Sequence, residues 1–227
     1  EGRTETLETY NTVSGDVVLC RTTAPLIGAC YRLISQGQAA VVLGKDIGAG
    51  LTALVKKLRA KSINELSQKL NRWLQDEIAA AEENGKPHKS AAAEDKADCL
   101  QIIIDQLPSS KRTIDSLLAV IEDLFEAEDY EGRAVIFSTI HKAKGREWDR
   151  VIILDREMMP LKWAKTDWQK KQEVHCMYVA FTRAKHELLF VSSKALNKNI
   201  KGMALSLTED DTAGLVRRAS GRLGCVV

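Results

Sequence analysis

The apolar residues of this chain follow two rhythms. Val17-Val18-Leu19-Cys20, Ala39 to Leu43, Ala134 to Ile140, Arg150 to Leu154 and Glu187 to Ser192 are short runs with little polar interruption, the pattern of strands covered on both faces in a parallel sheet. Elsewhere apolar residues recur every three or four positions, the period of a helix face. Leu26, Ala29, Cys30 and Leu33 form such a stripe behind Pro25, which suits a first helical turn, and Gly37 closes it. The first fifty residues therefore read as strand, helix, strand, a βαβ unit. Residues 1–15 show little periodicity, and Ser14-Gly15-Asp16 reads as a turn.

From Leu51 to Phe125 only the helical period is present. Leu51, Leu54, Val55 and Leu58 form one stripe. Ser62 with Glu65 reads as a capping box for a second helix through about Glu83, with Ile63, Leu66, Leu70, Leu74 and Ile78 inward. Asn84-Gly85-Lys86-Pro87 breaks it; a third helix is predicted from about Ala92 to Leu107 and a fourth from Thr113 to Phe125. After the strands at 134 and 150, Asp167 is placed to cap a last helix with the stripe Val174, Met177, Tyr178 and Phe181. The fold class is α/β: a parallel sheet flanked by helices, with an all-helical insertion. Its predicted divisions are 1–50 and 131–193 for the sheet, 51–130 for the insertion and 194–227 for a tail. Gly202, Gly214, Gly221 and Gly224 interrupt that tail, part of which is expected to be mobile.

At 227 residues and 44% apolar the chain can build a real core. Its net charge of +2 makes no case by itself for a polyanionic partner. The distribution says more: residues 141–171 hold nine Lys or Arg against five acids, while Glu122 to Glu131 is acidic. Five scattered cysteines without a Cys-x-x-Cys pair read as reduced thiols in a cytoplasmic protein. No apolar run reaches the ~20 residues of a membrane span. The chain opens on Glu1 rather than Met and reads as a piece of a longer protein.

The chemistry concentrates in Ser138-Thr139-Ile140-His141-Lys142-Ala143-Lys144-Gly145-Arg146-Glu147, a predicted loop between two strands. Hydroxyl, imidazole and ammonium groups suit phosphate oxygens, and Gly145 allows a ligand close to the backbone. The plain alternative is a solvated basic turn. Glu147 has two readings, a surface pair with Arg146 or Arg150, or an acid facing a ribose hydroxyl. Arg183, behind the last helix, offers a fork matched to phosphoryl oxygens or, alternatively, a cap for helix carbonyls. If the strands flanking the loop lie side by side, the loop and Arg183 meet at one sheet edge, outside the carboxyl ends. His175 and Cys176 read as helix residues rather than metal ligands, and no metal site is expected. No Gly-x-x-x-x-Gly-Lys-Ser/Thr phosphate loop is present, nor a strand ending in an Asp-Glu pair, so the chain alone is not expected to hydrolyse ATP.

FSTIHKAKGREWDRVIIL resembles motif V, and MYVAFTRAKHELLFV motif VI, of the superfamily 1 DNA helicases of the UvrD/Rep/PcrA type. VVLCRTTAPLIGACYRLI is similar to the segment that begins their second RecA-like domain. The three matches keep family order over about a third of the chain, and the helical block lies where these enzymes insert a second helical subdomain. The resemblance implies the C-terminal half of an ATP-dependent 3′-to-5′ DNA helicase, with a RecA-like sheet and a setting in DNA repair. It implies DNA contacts at Thr139, His141 and Lys142, nucleotide contacts at Gly145 and Glu147, and an arginine finger at Arg183. ATP with Mg²⁺ would be held mainly by an N-terminal RecA-like domain, and the partners would be that domain and single-stranded or duplex-junction DNA, with no membrane.

Arg21 and Thr22 are strand-end residues, read as lying near DNA or as structural hydrogen bonders. Val174 and His175 replace an arginine pair usual in the family, and the family's other γ-phosphate arginine belongs to a segment upstream of Glu1. A rival reading is a degenerate helicase-like module that binds DNA or protein without turnover. A nuclease-fused relative of the RecB or AddA sort is disfavoured, because the tail lacks clustered carboxylates.

Overall fold

The computed structural model describes residues 3–7, 12–125 and 132–192. The chain divides into two compact units, Gly44–Glu126 and the segments on either side of it.

The flanking unit is a six-stranded, all-parallel sheet: β1 (Arg3–Leu7), β2 (Val17–Cys20), β3 (Ala40–Leu43), β4 (Val135–Thr139), β5 (Trp148–Leu154) and β6 (Ala184–Val191), in the spatial order β1-β6-β5-β2-β4-β3. Strand β1 was not expected, because Arg-Thr-Glu-Thr-Leu has no apolar run; it pairs at the edge with β6. The central strands are buried, as their composition requires. One sheet face carries Val17, Leu19, Val41, Ile136, Val151, Ile153 and Phe190, packed with Ile140, Ala143 and Ala180. Helix α1 (Ala24–Ser35) packs on β2, β3 and β4 and buries Leu26, Ile27, Leu33 and Ile34, each contributing about 1.5–3 kcal/mol.

Strands β4 and β5 are not neighbours, since β2 lies between them. The connection 140–147 therefore leaves the carboxyl edge of the sheet, crosses one face and enters β5 at the amino edge. A local pattern cannot reveal this, because strand order depends on partners distant in sequence. Helix α6 (Asp167–Phe181) also differs from expectation. Val174 and Tyr178 are exposed, at 57% and 69%, whereas Glu173 and Ala180 are buried and Cys176 and Met177 pack on the core. Its inner face is thus 173, 176, 177, 180 and 181, which keeps Met177 and Phe181 of the expected stripe. The N-cap is Thr166, in a full capping box with Gln169; Asp167 is the first helical residue.

The second unit is all helical: α2 (Lys45–Leu58), α3 (Ile63–Glu83), α4 (Pro87–Gln106) and α5 (Ile114–Phe125). It begins at Gly44, earlier than expected, because α2 runs through Gly48 and Gly50. At Gly48 a β-carbon would stand 2.8 Å from Cβ of Phe125, so its absence lets α2 and α5 approach. In α3, Ser62 Oγ accepts from Glu65 N at 3.2 Å, while the Glu65 carboxylate accepts from Lys61 N at 2.8 Å, leaving the box half formed. Ile63, Leu66 and Leu70 are buried; Leu74 and Ile78 are only half-buried. Helix α4 starts at Pro87, five residues earlier than its apolar pattern shows, since proline suits a first turn. Among the described residues no helix is long and apolar enough to cross a membrane. The expected tail, 194–227, lies outside the described residues.

Candidate functional site

The loop between β4 and β5 is held from below and open above. Ile140 N donates to Cys20 O at 3.1 Å, and Lys142 N and Ala143 N donate to Thr139 O at 3.0 and 3.1 Å. Ile140 and Ala143 are buried, while His141, Lys142, Lys144, Gly145, Arg146 and Glu147 are exposed. Two apolar anchors therefore fix a display of polar groups. Arg146 N donates to Ala143 O at 3.1 Å, and Gly145 sits at φ +84°, the third position of a type II turn. A β-carbon on Gly145 would meet nothing within 4 Å. Glycine is required there by backbone conformation, and the space above it is open.

At the amino edge the loop meets Arg183. Trp148 N donates to Arg183 O at 2.9 Å. The guanidinium donates from Nε to Val179 O at 2.9 Å, from one η nitrogen to Arg146 O at 2.8 Å, and from the other to Thr182 Oγ1 at 3.0 Å. It caps the helix, as one of its two readings held, and also ties the helix to the loop. All three acceptors are neutral, and among the described residues no carboxylate pairs with it. Guanidinium has five N–H donors, so two remain.

Glu147 lies beside this arrangement. Its expected surface pairing with Arg150 does not form, because Arg150 is occupied by Asp16 at 3.2 Å and Glu187 at 2.9 Å. Among the described residues the Glu147 carboxylate has no ion pair or hydrogen-bond partner. Gly145, Glu147 and Arg183 are thus brought together at the amino edge, rather than at the carboxyl ends where they were expected.

Thr139, His141, Lys142, Arg21 and Thr22 collect at the opposite, carboxyl edge, where Cys20 of β2 pairs with Thr139 of β4. Arg21 is held there by Glu173. Its Nε lies 3.2 Å from one carboxylate oxygen and an η nitrogen 2.7 Å from the other, and Glu173 also accepts from Leu161 N at 3.2 Å. Both side chains are withdrawn from solvent, at 15% and 4% exposure. Arg21 thus makes structural hydrogen bonds at the edge that also carries Thr139 and His141, so its two readings do not exclude each other. Thr22 is half-buried in the turn that follows.

The same pair acts on its neighbours. The His141 imidazole is held below its usual pKa of 6.5, first by partial desolvation and then by the Arg21 charge, with Glu173 opposing. His141 is therefore mainly neutral at neutral pH. Because an unfolded chain would protonate it at higher pH, it lowers stability as pH falls from the usual histidine range toward the depressed one. Burial likewise raises the Cys176 thiol, against the Arg21 charge.

Sequence reasoning missed Glu173 and the main-chain carbonyl of Arg146. The first had one signal, an acid at helical spacing from Cys176, Met177 and Ala180. A carbonyl acceptor has none. Among the described residues no cluster of His, Cys, Asp or Glu could hold a metal.

A family model described as the UvrD-like helicase C-terminal domain matches residues 22–195. No curated protein matches the sequence.

Proposed function

The chain belongs to the UvrD-like helicase C-terminal domain family, and on that premise we propose that it forms one wall of a nucleotide cleft and part of a single-stranded DNA track in an ATP-dependent 3′-to-5′ DNA translocase. The observation that carries this reading is Arg183, fixed by three neutral acceptors beside an exposed turn, with no carboxylate taking up its charge. The donor set fits a phosphoryl group: two guanidinium N–H donors remain, and the open backbone of Gly145 and the unpaired Glu147 stand beside them.

When bound, ATP supplies the phosphoanhydride cleavage that drives movement, and its Mg²⁺ would need ligands from another domain. Arg183 would neutralise charge developing on the phosphoryl oxygens. Because its head is already immobilised, little reorganisation would be needed at that moment. Glu147 would accept from a ribose hydroxyl. On the other sheet edge Thr139, His141 and Lys142 would meet DNA phosphates. Helix α6 and the 140–147 connection both run between the edges, a path of about 15 Å from residue 173 to 183 at 1.5 Å per residue, and they offer the link between nucleotide state and grip on DNA.

The DNA half is tested by the salt dependence of single-strand binding. At pH 7.5, Lys142→Ala should reduce the log–log slope by about 0.7, the loss of one phosphate contact. His141→Ala should weaken binding without changing the slope, because the ring is uncharged there. Below the depressed histidine pKa the wild-type slope should steepen, and His141→Ala should abolish that increment. An unchanged slope in Lys142→Ala at pH 7.5, together with an undiminished low-pH increment in His141→Ala, would move the DNA path elsewhere.

A further inference from the structure

The helical unit contains a slot that neither the nucleotide wall nor the DNA track uses. Three helices line it with residues at helical spacing: Gly50, Ala53, Leu54 and Lys57 of α2, Trp73 and Glu77 of α3, and Lys89, Ala92, Ala93 and Lys96 of α4. Its volume is about 360 Å³, within the range of ligand pockets. The small residues leave the space between the walls unfilled, and at Gly50 a β-carbon would meet nothing within 4 Å. Indole Nε1 of Trp73 is buried and has no hydrogen-bond partner, a state buried tryptophans usually avoid. Among the described residues none of the three lysines has an ion-pair partner.

The slot is thus rich in donors and poor in acceptors, with three ammonium groups to one carboxylate over a small apolar floor. We propose that it docks an acidic segment of a protein partner, which inserts an apolar side chain over Trp73 between carboxylates that meet Lys57, Lys89 and Lys96. Lys89 and Lys96 are two helical turns apart, about 10 Å, the span of one face of a short amphipathic helix. A nucleic-acid backbone fits less well. The floor of Ala53, Leu54, Ala93 and Trp73 takes an apolar side chain, which a sugar–phosphate chain does not offer.

The test uses the 227-residue chain and a fluorescein-labelled amphipathic peptide whose leucine and phenylalanine face is flanked by glutamates. The peptide should bind, and a version with lysines in place of the glutamates should not. Replacing Lys57, Lys89 and Lys96 together by glutamine should weaken binding roughly tenfold, as three solvent-facing ion pairs allow. Gly50→Leu should weaken it by a similar factor through blocking the slot, with the thermal midpoint unchanged or raised, because leucine favours a helix over glycine. Failure of the glutamate peptide to bind, equal affinity across the variants, or duplex DNA binding that depends on these lysines and Gly50 while the peptide does not compete would each overturn the proposal.

Discussion

Arg183→Ala, in the whole protein, is expected to lower DNA-stimulated ATP turnover by at least ~10³-fold, the lower end of what an arginine finger contributes, while single-strand affinity stays close to wild type. The separation follows from position. Arg183 is at the amino edge, bonded to the loop through Arg146 O, whereas Thr139 and His141 lie at the carboxyl edge beside Cys20 and Arg21. Arg183→Lys should rescue little, because lysine retains the charge but cannot hold Val179 O, Arg146 O and Thr182 Oγ1 while keeping donors free. Steady-state ATPase with and without single-stranded DNA, beside a binding isotherm, separates the cases. Wild-type turnover in Arg183→Ala would leave the guanidinium as a helix cap only.

The second large effect lies in stability. Glu173→Gln removes the carboxylate that faces Arg21 and leaves a guanidinium buried without its counter-charge. Breaking one side of a buried pair costs about 3–5 kcal/mol, a large share of the stability usual for a domain. The double variant Arg21→Met with Glu173→Leu should recover most of that loss, since well-packed apolar replacements are often neutral. Denaturant midpoints of the three chains decide it. A midpoint for Glu173→Gln equal to wild type would show that water reaches the pair and that α6 is not anchored there.

That same pair marks where sequence reading succeeded and where it failed. Strands β2, β3, β4 and β5 were legible because burial on both faces leaves unbroken apolar runs such as Val17 to Cys20. Strand β1 was not, because its Arg-Thr-Glu-Thr-Leu sequence carries no such signal. Helix α6 was found with half of its inner face: Met177 and Phe181 pack on the core, but Glu173 stands among the buried positions, and Val174 and Tyr178 take solvent-facing ones. Hydrophobicity alone cannot rotate a helix correctly when an ion pair supplies the anchor. The layout of the candidate residues was not legible in the sequence. Gly145, Glu147 and Arg183 do come together, but at the amino edge, because β2 separates β4 from β5. Strand order is a long-range property with no local mark.

In the proposed half-cleft Arg183 and Glu147 would face a nucleotide whose phosphates another domain would cradle, since no phosphate-loop sequence occurs in these 227 residues. The most direct test is ATP turnover by this chain alone, with single-stranded DNA present. No turnover above the uncatalysed rate is expected, and sustained hydrolysis that disappears with Arg183→Ala would contradict the half-cleft by showing a complete site within one polypeptide.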